Sequence, residues 1–237
     1  MTALDRYFAP PFKFQRGPKA WVIESTIHAA IRDARSVTGR DPSTGQASGP
    51  TLSWSGAVTY LVALEQLGQA LRLATPDAAA EDRIKFPFGK TASNPGANEQ
   101  PFRSALVLFT SLNEDEISAL YALRCSFVHR FSMANLNSNR PDLTHRFVFR
   151  GDGPLIDRSS PWGGTWGDPG APKPGDNTFV NLTAVGDLAE GAVVRAAHRQ
   201  SAGELATVPS TEAEFDERYS FGMSMGIARA TFGASCP

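Results

Sequence analysis

A long stripe of apolar residues at helical spacing is the feature of this chain that most restricts its fold. Its members recur every three or four positions, at Trp54, Val58, Leu61, Leu64, Leu67 and Leu71. This spacing predicts a helix that buries one face and ends before Pro76. A similar pattern around Ile23, Ile27 and Ile31 predicts an earlier helix over 18–37. We expect these two helices to pack antiparallel, which is typical of a helical bundle.

A capping box marks the start of a third helix. Asn113 and Glu116 have the spacing at which each side chain accepts a hydrogen bond from the other's backbone N–H. The helix is therefore predicted to begin at Glu114 and to place Ile117, Leu120, Tyr121, Arg124 and Val128 on one inward face. Asn181 is expected to cap a further helix to about Gln200, and Thr211 to open a last helix with Phe215, Tyr219, Met223 and Ile227 inward.

The residues after Ser132 change character. Residues 144–150 alternate between polar and apolar side chains, which predicts a β-strand, and 178–180 is its expected partner across a long Gly-, Pro- and Trp-rich connection. We therefore predict a mainly α fold, an antiparallel helical bundle with a small β-hairpin insertion. The expected organisation is an N-terminal arm (1–17), a helical core (18–135), the hairpin insertion (136–182) and C-terminal helices (183–237) that complete the same domain.

Composition narrows the function classes. The net charge is −1, so any binding of nucleic acid has to be local. Two cysteines form neither a disulfide framework nor a metal cluster, which favours a reducing cytoplasm and no metal or other cofactor. An apolar leader or long apolar span is absent, so no membrane association is predicted.

Arg124 and His129 are the strongest candidates for a functional pair. An arginine on an apolar helical face needs a carboxylate, another anion or a groove to explain it. On a straight α-helix, five steps of about 100° leave the two residues roughly 140° apart. Two copies of the helix crossing at a two-fold axis could bring them to one point.

The segment that carries this pair resembles a known family. Residues 120–129, LYALRCSFVH, are similar to the R-x4-6-H signature of HEPN domains (higher eukaryotes and prokaryotes nucleotide-binding). The segment 55–68 is similar to the helix that precedes this motif in bacterial members. The resemblance implies a HEPN-like helical bundle and a homodimer with a composite cleft. It also implies a metal-independent endoribonuclease of toxin or defence type, with RNA as substrate and an antitoxin protein as a possible partner.

In the implied reaction, the ribose 2′-hydroxyl attacks the adjacent phosphate. His129 would move a proton and Arg124 would neutralise charge on the phosphorane. We predict Ser126, Arg130 and Arg146 as substrate-binding residues, because arginines follow the motif closely and could form a local basic wall. The alternative for these arginines is the solvated face of a strand.

Other interpretations stay open from the sequence. Many active family members carry Asn or Asp after the arginine, and Cys125 at that position favours a catalytically silent module that binds RNA, nucleotide or a protein. Arg124 could instead pair with Glu116 or Asp115, with His129 merely ending the helix. In a third interpretation the motif is accidental and the chain is a scaffold. His28 and His198 lack neighbours at metal-ligand spacing and are interpreted as ordinary histidines.

Overall fold

The computed structural model describes residues 2–16, 19–46, 53–85, 99–130, 132–135, 143, 145–158 and 177–232. In chain order, its elements are α1 (Ala3–Phe8), β1 (Phe12–Arg16), β2 (Lys19–Ser25), α2 (Thr26–Val37), α3 (Trp54–Ala70), β3 (Leu71–Leu73), α4 (Ala78–Lys85), α5 (Glu99–Phe109), α6 (Glu114–Arg124), a π-helical turn (Cys125–Arg130), β4 (Ala134–Asn135), β5 (His145–Arg150), β6 (Ile156–Arg158), β7 (Thr178–Asn181), α7 (Leu182–Ser201), β8 (Leu205–Thr207), α8 (Glu212–Tyr219), β9 (Ser220–Ser224) and α9 (Met225–Phe232).

Helix α3 lies at the centre of the core and confirms the long apolar stripe as far as Leu67, whereas Leu71, the last predicted member, is the first residue of β3. It packs against α2, α5 and α7, and the side chains of Leu61, Leu64 and Leu67 are fully buried. Ser53 caps its start by accepting a hydrogen bond from the Gly56 N–H. The structure also confirms α6 with its Asn113 capping box and α7 with its Asn181 cap.

The prediction of a mainly α, HEPN-like antiparallel bundle with a small hairpin insertion is wrong, because the fold is mixed α/β. The described residues include three sheets, with strand orders β1-β2-β9, β3-β8 and β4-β5-β7-β6. Strands β1, β2 and β9 pair antiparallel, so the two ends of the chain meet in one sheet. In the sequence, only the capped helices and strand β5 had a strong local pattern of apolar spacing.

Residues 19–25 form a strand where the sequence pattern predicts the start of a helix. Ser25 caps α2 by accepting from the His28 N–H, so the helix begins only at Thr26. Val22 and Glu24 are both buried, which is the period-two pattern of a strand. The last predicted helix is likewise interrupted, since Met223 lies in β9 between α8 and α9. Pairing between β2 and β9 overrides the helical spacing of their apolar residues.

The expected hairpin is also incorrect in its direction. Strand β5 and its partner β7 are confirmed, but they run parallel, with Phe147 opposite Thr178. The antiparallel neighbour of β7 is β6, which lies within the predicted long connection. Parallel strands require a crossover rather than a hairpin turn. Trp162 and Trp166 of that connection lie outside the described residues.

Candidate functional site

Arg124 ends α6 inside the core, where Glu65 of α3 neutralises its charge. The Arg124 Nη2 lies 2.5 Å and 2.6 Å from the two carboxylate oxygens of Glu65, and its Nε lies 3.1 Å from Oε2. Arg124 is 5% exposed and Glu65 is 8% exposed. Burial alone would lower the pKa of Arg124, but the hydrogen bonds and charge of Glu65 oppose it, and the pKa is raised. The guanidinium therefore stays cationic and bound to one carboxylate.

The partner of Arg124 differs from the acids that the sequence suggested. Glu116 accepts a hydrogen bond from the Asn113 N–H at 2.9 Å as part of the capping box, at the opposite end of α6. Glu65 lies 59 residues before Arg124 and reaches it because α3 and α6 are in contact. A structural ion pair is therefore present, made between two helices rather than within one.

The segment after Arg124 is a π-helical turn, Cys125–Arg130. Hydrogen bonds in a π-helix join residues five apart, and such turns are frequent at functional sites. Arg124 and His129 are five residues apart. Their backbone positions therefore lie more nearly on one face of the turn than they would on an α-helix. The side chains of His129 and Arg130 lie outside the described part of the structure.

The predicted substrate-binding residues do not share one environment. Ser126 is fully buried, and its Oγ has no hydrogen-bond partner among the described residues. Its neighbour Phe127 stacks on Trp54 with ring centroids 4.0 Å apart, which anchors the turn in the core. Arg146 is exposed on β5, the strand beside β4. The structure thus separates Ser126 from solvent and leaves Arg146 accessible.

A cavity of about 890 Å³ lies away from the motif, between α2 and α7. Its apolar wall is formed by residues of both helices, of the end of α1 and of the segment that follows it, namely Phe8, Pro10, Pro11, Ile27, Ile31, Val193, Val194 and Ala197. Its polar residues include Glu24, His28, Arg32, Arg35 and Glu190. A mostly apolar cavity with a few convergent polar groups is the usual character of a ligand site.

The charges in this cavity neutralise each other in pairs. Arg32 Nη1 lies 2.5 Å from the Glu24 carboxylate, which is 2% exposed. Arg35 Nη2 lies 2.6 Å from Glu190 Oε2 and so bridges α2 to α7. The Tyr60 hydroxyl donates to Glu190 Oε1 at 2.7 Å. The pKa of Glu24 is raised by burial, against the opposing effect of Arg32.

Among the titratable side chains that line the cavity, His28 is the one whose ordinary pKa, 6.5, lies closest to neutral pH. Burial lowers its pKa below 6.5, a hydrogen bond with the Phe8 backbone opposes this, and the charges of Arg35 and Arg32 lower it further. The ring is therefore neutral at pH 7.5. Local spacing in the sequence indicates only an ordinary histidine at position 28, because residues that line the cavity with it belong to α1, β2 and α7.

We expect the lowered pKa of His28 to make stability fall on acidification. Above pH 6.5 neither state binds the proton, and below it the unfolded chain binds the proton first, so stability is lost as pH falls through the folded pKa. The free energy of unfolding in urea should drop more between pH 7.5 and 5.5 in the wild type than in His28→Gln. The difference is at most about 1.4 kcal/mol per pH unit. His198→Gln, at an exposed histidine of α7, is the control and should follow the wild type; equal slopes in all three proteins would contradict the prediction.

Comparison with protein-family models, curated proteins and solved structures found no match for this chain. Within the described residues, no group of three or more His, Cys, Asp or Glu side chains is placed to hold a metal ion. In the same part of the chain, no helix combines the length and apolar character needed to cross a bilayer.

Proposed function

We propose that the protein is a catalytically silent module that binds RNA or a nucleotide. The observation that supports this is the buried pair of Arg124 and Glu65. A phosphate could bind Arg124 only by displacing Glu65, which would leave a buried carboxylate without its partner. Removing one member of a buried ion pair costs about 3–5 kcal/mol. The arginine therefore supports the fold rather than a transition state.

The proposed contact surface is the exposed side of β5. Arg146 stands in solvent there, and its guanidinium can bind a phosphate through two parallel hydrogen bonds. The neighbouring strand β4 pairs with β5 at Ala134 and follows the π-helical turn closely in the chain. A strand of RNA on this surface would thus pass close to the motif segment without entering the core.

A second candidate is the metal-independent endoribonuclease that the HEPN resemblance implies. The π-helical turn favours it, because residues five apart come closer to one face there than on an α-helix. This candidate requires Arg124 to exchange Glu65 for a phosphate, with His129 moving the proton. A homodimer with a composite cleft, an antitoxin partner and a cytoplasmic location stay predictions of this proposal.

One experiment separates the two candidates. Fluorescently labelled single-stranded and structured RNAs are incubated in EDTA with the wild type, Arg146→Ala and His129→Ala, all checked for folding by circular dichroism. For the silent module we expect RNA binding without cleavage, and a salt dependence that weakens in Arg146→Ala by about 0.7 in log–log slope, the value for one phosphate contact on a single strand.

The matched control is Arg72→Ala, at an exposed arginine of β3 in a different sheet. It should bind RNA like the wild type. Cleavage in EDTA that disappears in His129→Ala would establish the nuclease instead. A wild type that neither binds nor cleaves any RNA of the panel would exclude the nuclease and would exclude RNA as the ligand of the silent module.

A further inference from the structure

We propose that the cavity between α2 and α7 binds an uncharged amphipathic molecule, a hydrocarbon chain of medium length that carries one hydroxyl group. This inference does not rest on the proposed RNA function, because the cavity lies in another part of the fold. Four properties of the cavity support it: its shape, its apolar walls, its balanced charges and the imidazole ring of His28, which can accept a hydrogen bond.

The shape of the cavity fits a chain better than a compact ligand. Both α2 and α7 pack on α3, and the cavity runs between them. From Ile27 to Arg35 it follows α2 for eight residues, about 12 Å at 1.5 Å per residue. Phe8 and Pro10 line it beside His28, while Pro42, whose carbonyl accepts from Arg35, lines its other end.

Apolar side chains from two helices face one another across this length. Ile27 and Ile31 are buried on α2, and Val193, Val194 and Ala197 repeat at helical spacing on α7. Val194 is 55% exposed although it lines the cavity. Covering such surface stabilises a complex by roughly 25 cal/mol for each Å² removed from water.

The charge balance selects an uncharged ligand. Glu24 binds Arg32, and Glu190 binds Arg35 while it also accepts from Tyr60. An anion or cation entering the cavity would meet no excess of opposite charge. It would have to break one of these partly buried pairs and leave a carboxylate or guanidinium without its partner, which is unfavourable. A neutral molecule leaves every pair intact.

His28 supplies the hydrogen-bond acceptor for a hydroxyl group. A neutral imidazole has one N–H and one acceptor nitrogen. The hydrogen bond with the Phe8 backbone favours the protonated ring, so it uses the N–H as donor. The other ring nitrogen is then an acceptor, and His28 lines the cavity. A hydroxyl group in the cavity can donate a hydrogen bond to this nitrogen. An ammonium or a carboxylate would have to break one of the partly buried ion pairs to enter the cavity.

The test compares three molecules with the same eight-carbon chain: 1-octanol, octanoate and octylamine, the last two charged at pH 7.5. Binding to the full chain is measured by calorimetry and by shifts of isoleucine and valine methyl signals in NMR spectra. We expect 1-octanol to bind at least tenfold more tightly than either charged molecule. His28→Phe, which keeps a planar ring but removes the acceptor nitrogen, should weaken 1-octanol binding about fivefold, the value of one hydrogen bond.

Two matched valine variants locate the site. Val194→Lys places a charge in the cavity at an exposed position and should weaken 1-octanol binding at least tenfold. Val37→Lys makes the same change at a 50% exposed valine of α2 that does not line this cavity, and should bind like the wild type. Equal effects of the two variants, no saturable binding of 1-octanol up to its solubility limit, or equal affinity for octanoate or octylamine would overturn the inference.

Discussion

Glu65→Ala is expected to lower the free energy of unfolding by about 3–5 kcal/mol, the cost of removing one partner from a buried ion pair. Arg124 would then be a buried cation with its carboxylate gone, and the core around it gives the guanidinium little water. Arg124→Ala should have a similar effect, because it leaves the buried carboxylate of Glu65 without its partner. Urea unfolding followed by circular dichroism measures both changes.

Two controls distinguish charge from packing. The double variant Glu65→Leu/Arg124→Met replaces both charges by apolar side chains of similar length, and it should lose far less stability than either single variant. Glu204→Ala breaks an exposed pair with Arg199 and should change stability by about 1 kcal/mol or less. A Glu65→Ala protein as stable as Glu204→Ala would show that the buried pair contributes little.

This prediction also bears on function. If Arg124 is chiefly a structural cation, stability and RNA binding separate: Glu65→Ala loses stability, while RNA binding by its folded fraction is retained. If Arg124 instead serves a phosphate, removing Glu65 frees the guanidinium and should raise cleavage or RNA affinity. Measuring both quantities on the same Glu65→Ala protein decides between these outcomes.

Gly68→Ala is expected to destabilise the protein by about 3 kcal/mol, at the upper end of the usual range for overpacking. A Cβ atom at Gly68 would lie 1.7 Å from the Pro101 carbonyl oxygen and 3.1 Å from the Ala105 nitrogen. Both are backbone atoms of α5, so the two helices would have to separate where α3 crosses α5. Thermal and urea unfolding should both report the loss.

The matched control for this substitution is Gly191→Ala in α7. There the nearest atom to an added Cβ is Nη1 of Arg195 at 3.4 Å, the far end of a flexible side chain. Because alanine is favoured over glycine in a helix interior by about 1 kcal/mol, this variant should be slightly more stable than the wild type. Equal stability changes in the two variants would show that α3 and α5 do not approach as closely as the structure has them.

Much of the helical structure could be predicted because its signals are local. Helices α3, α6 and α7 have apolar residues three or four positions apart and a capping side chain at the start. The strands were harder to predict, because their pairing partners are distant in the chain. Strand β2 has only seven residues, and its partner β9 lies about 200 residues further along. Its apolar residues fit both helical and strand spacing, and only pairing with β9 decides between them.

The candidate sites show the same division. The sequence identified Arg124 as an arginine that needs a partner, and the structure supplies Glu65, an acid on another helix. Nothing in the sequence indicated the cavity, because α2 and α7 each have an ordinary amphipathic pattern. Its polar groups converge only when Glu24 of β2 lies beside α2 and Glu190 of α7 reaches Arg35.

The sequence by itself determined where α6 and α7 begin, that the apolar stripe from Trp54 to Leu67 is helical, and that β5 is a strand. Those properties depend on backbone hydrogen bonds and side-chain spacing within a few residues. Tertiary structure alone decided the mixed α/β fold, the parallel pairing of β5 with β7, the partner of Arg124 and the cavity beside His28. Each of these depends on which distant apolar surfaces pack against each other and exclude water. A periodic pattern in the sequence indicates that a surface is apolar, but it does not indicate which other surface covers it.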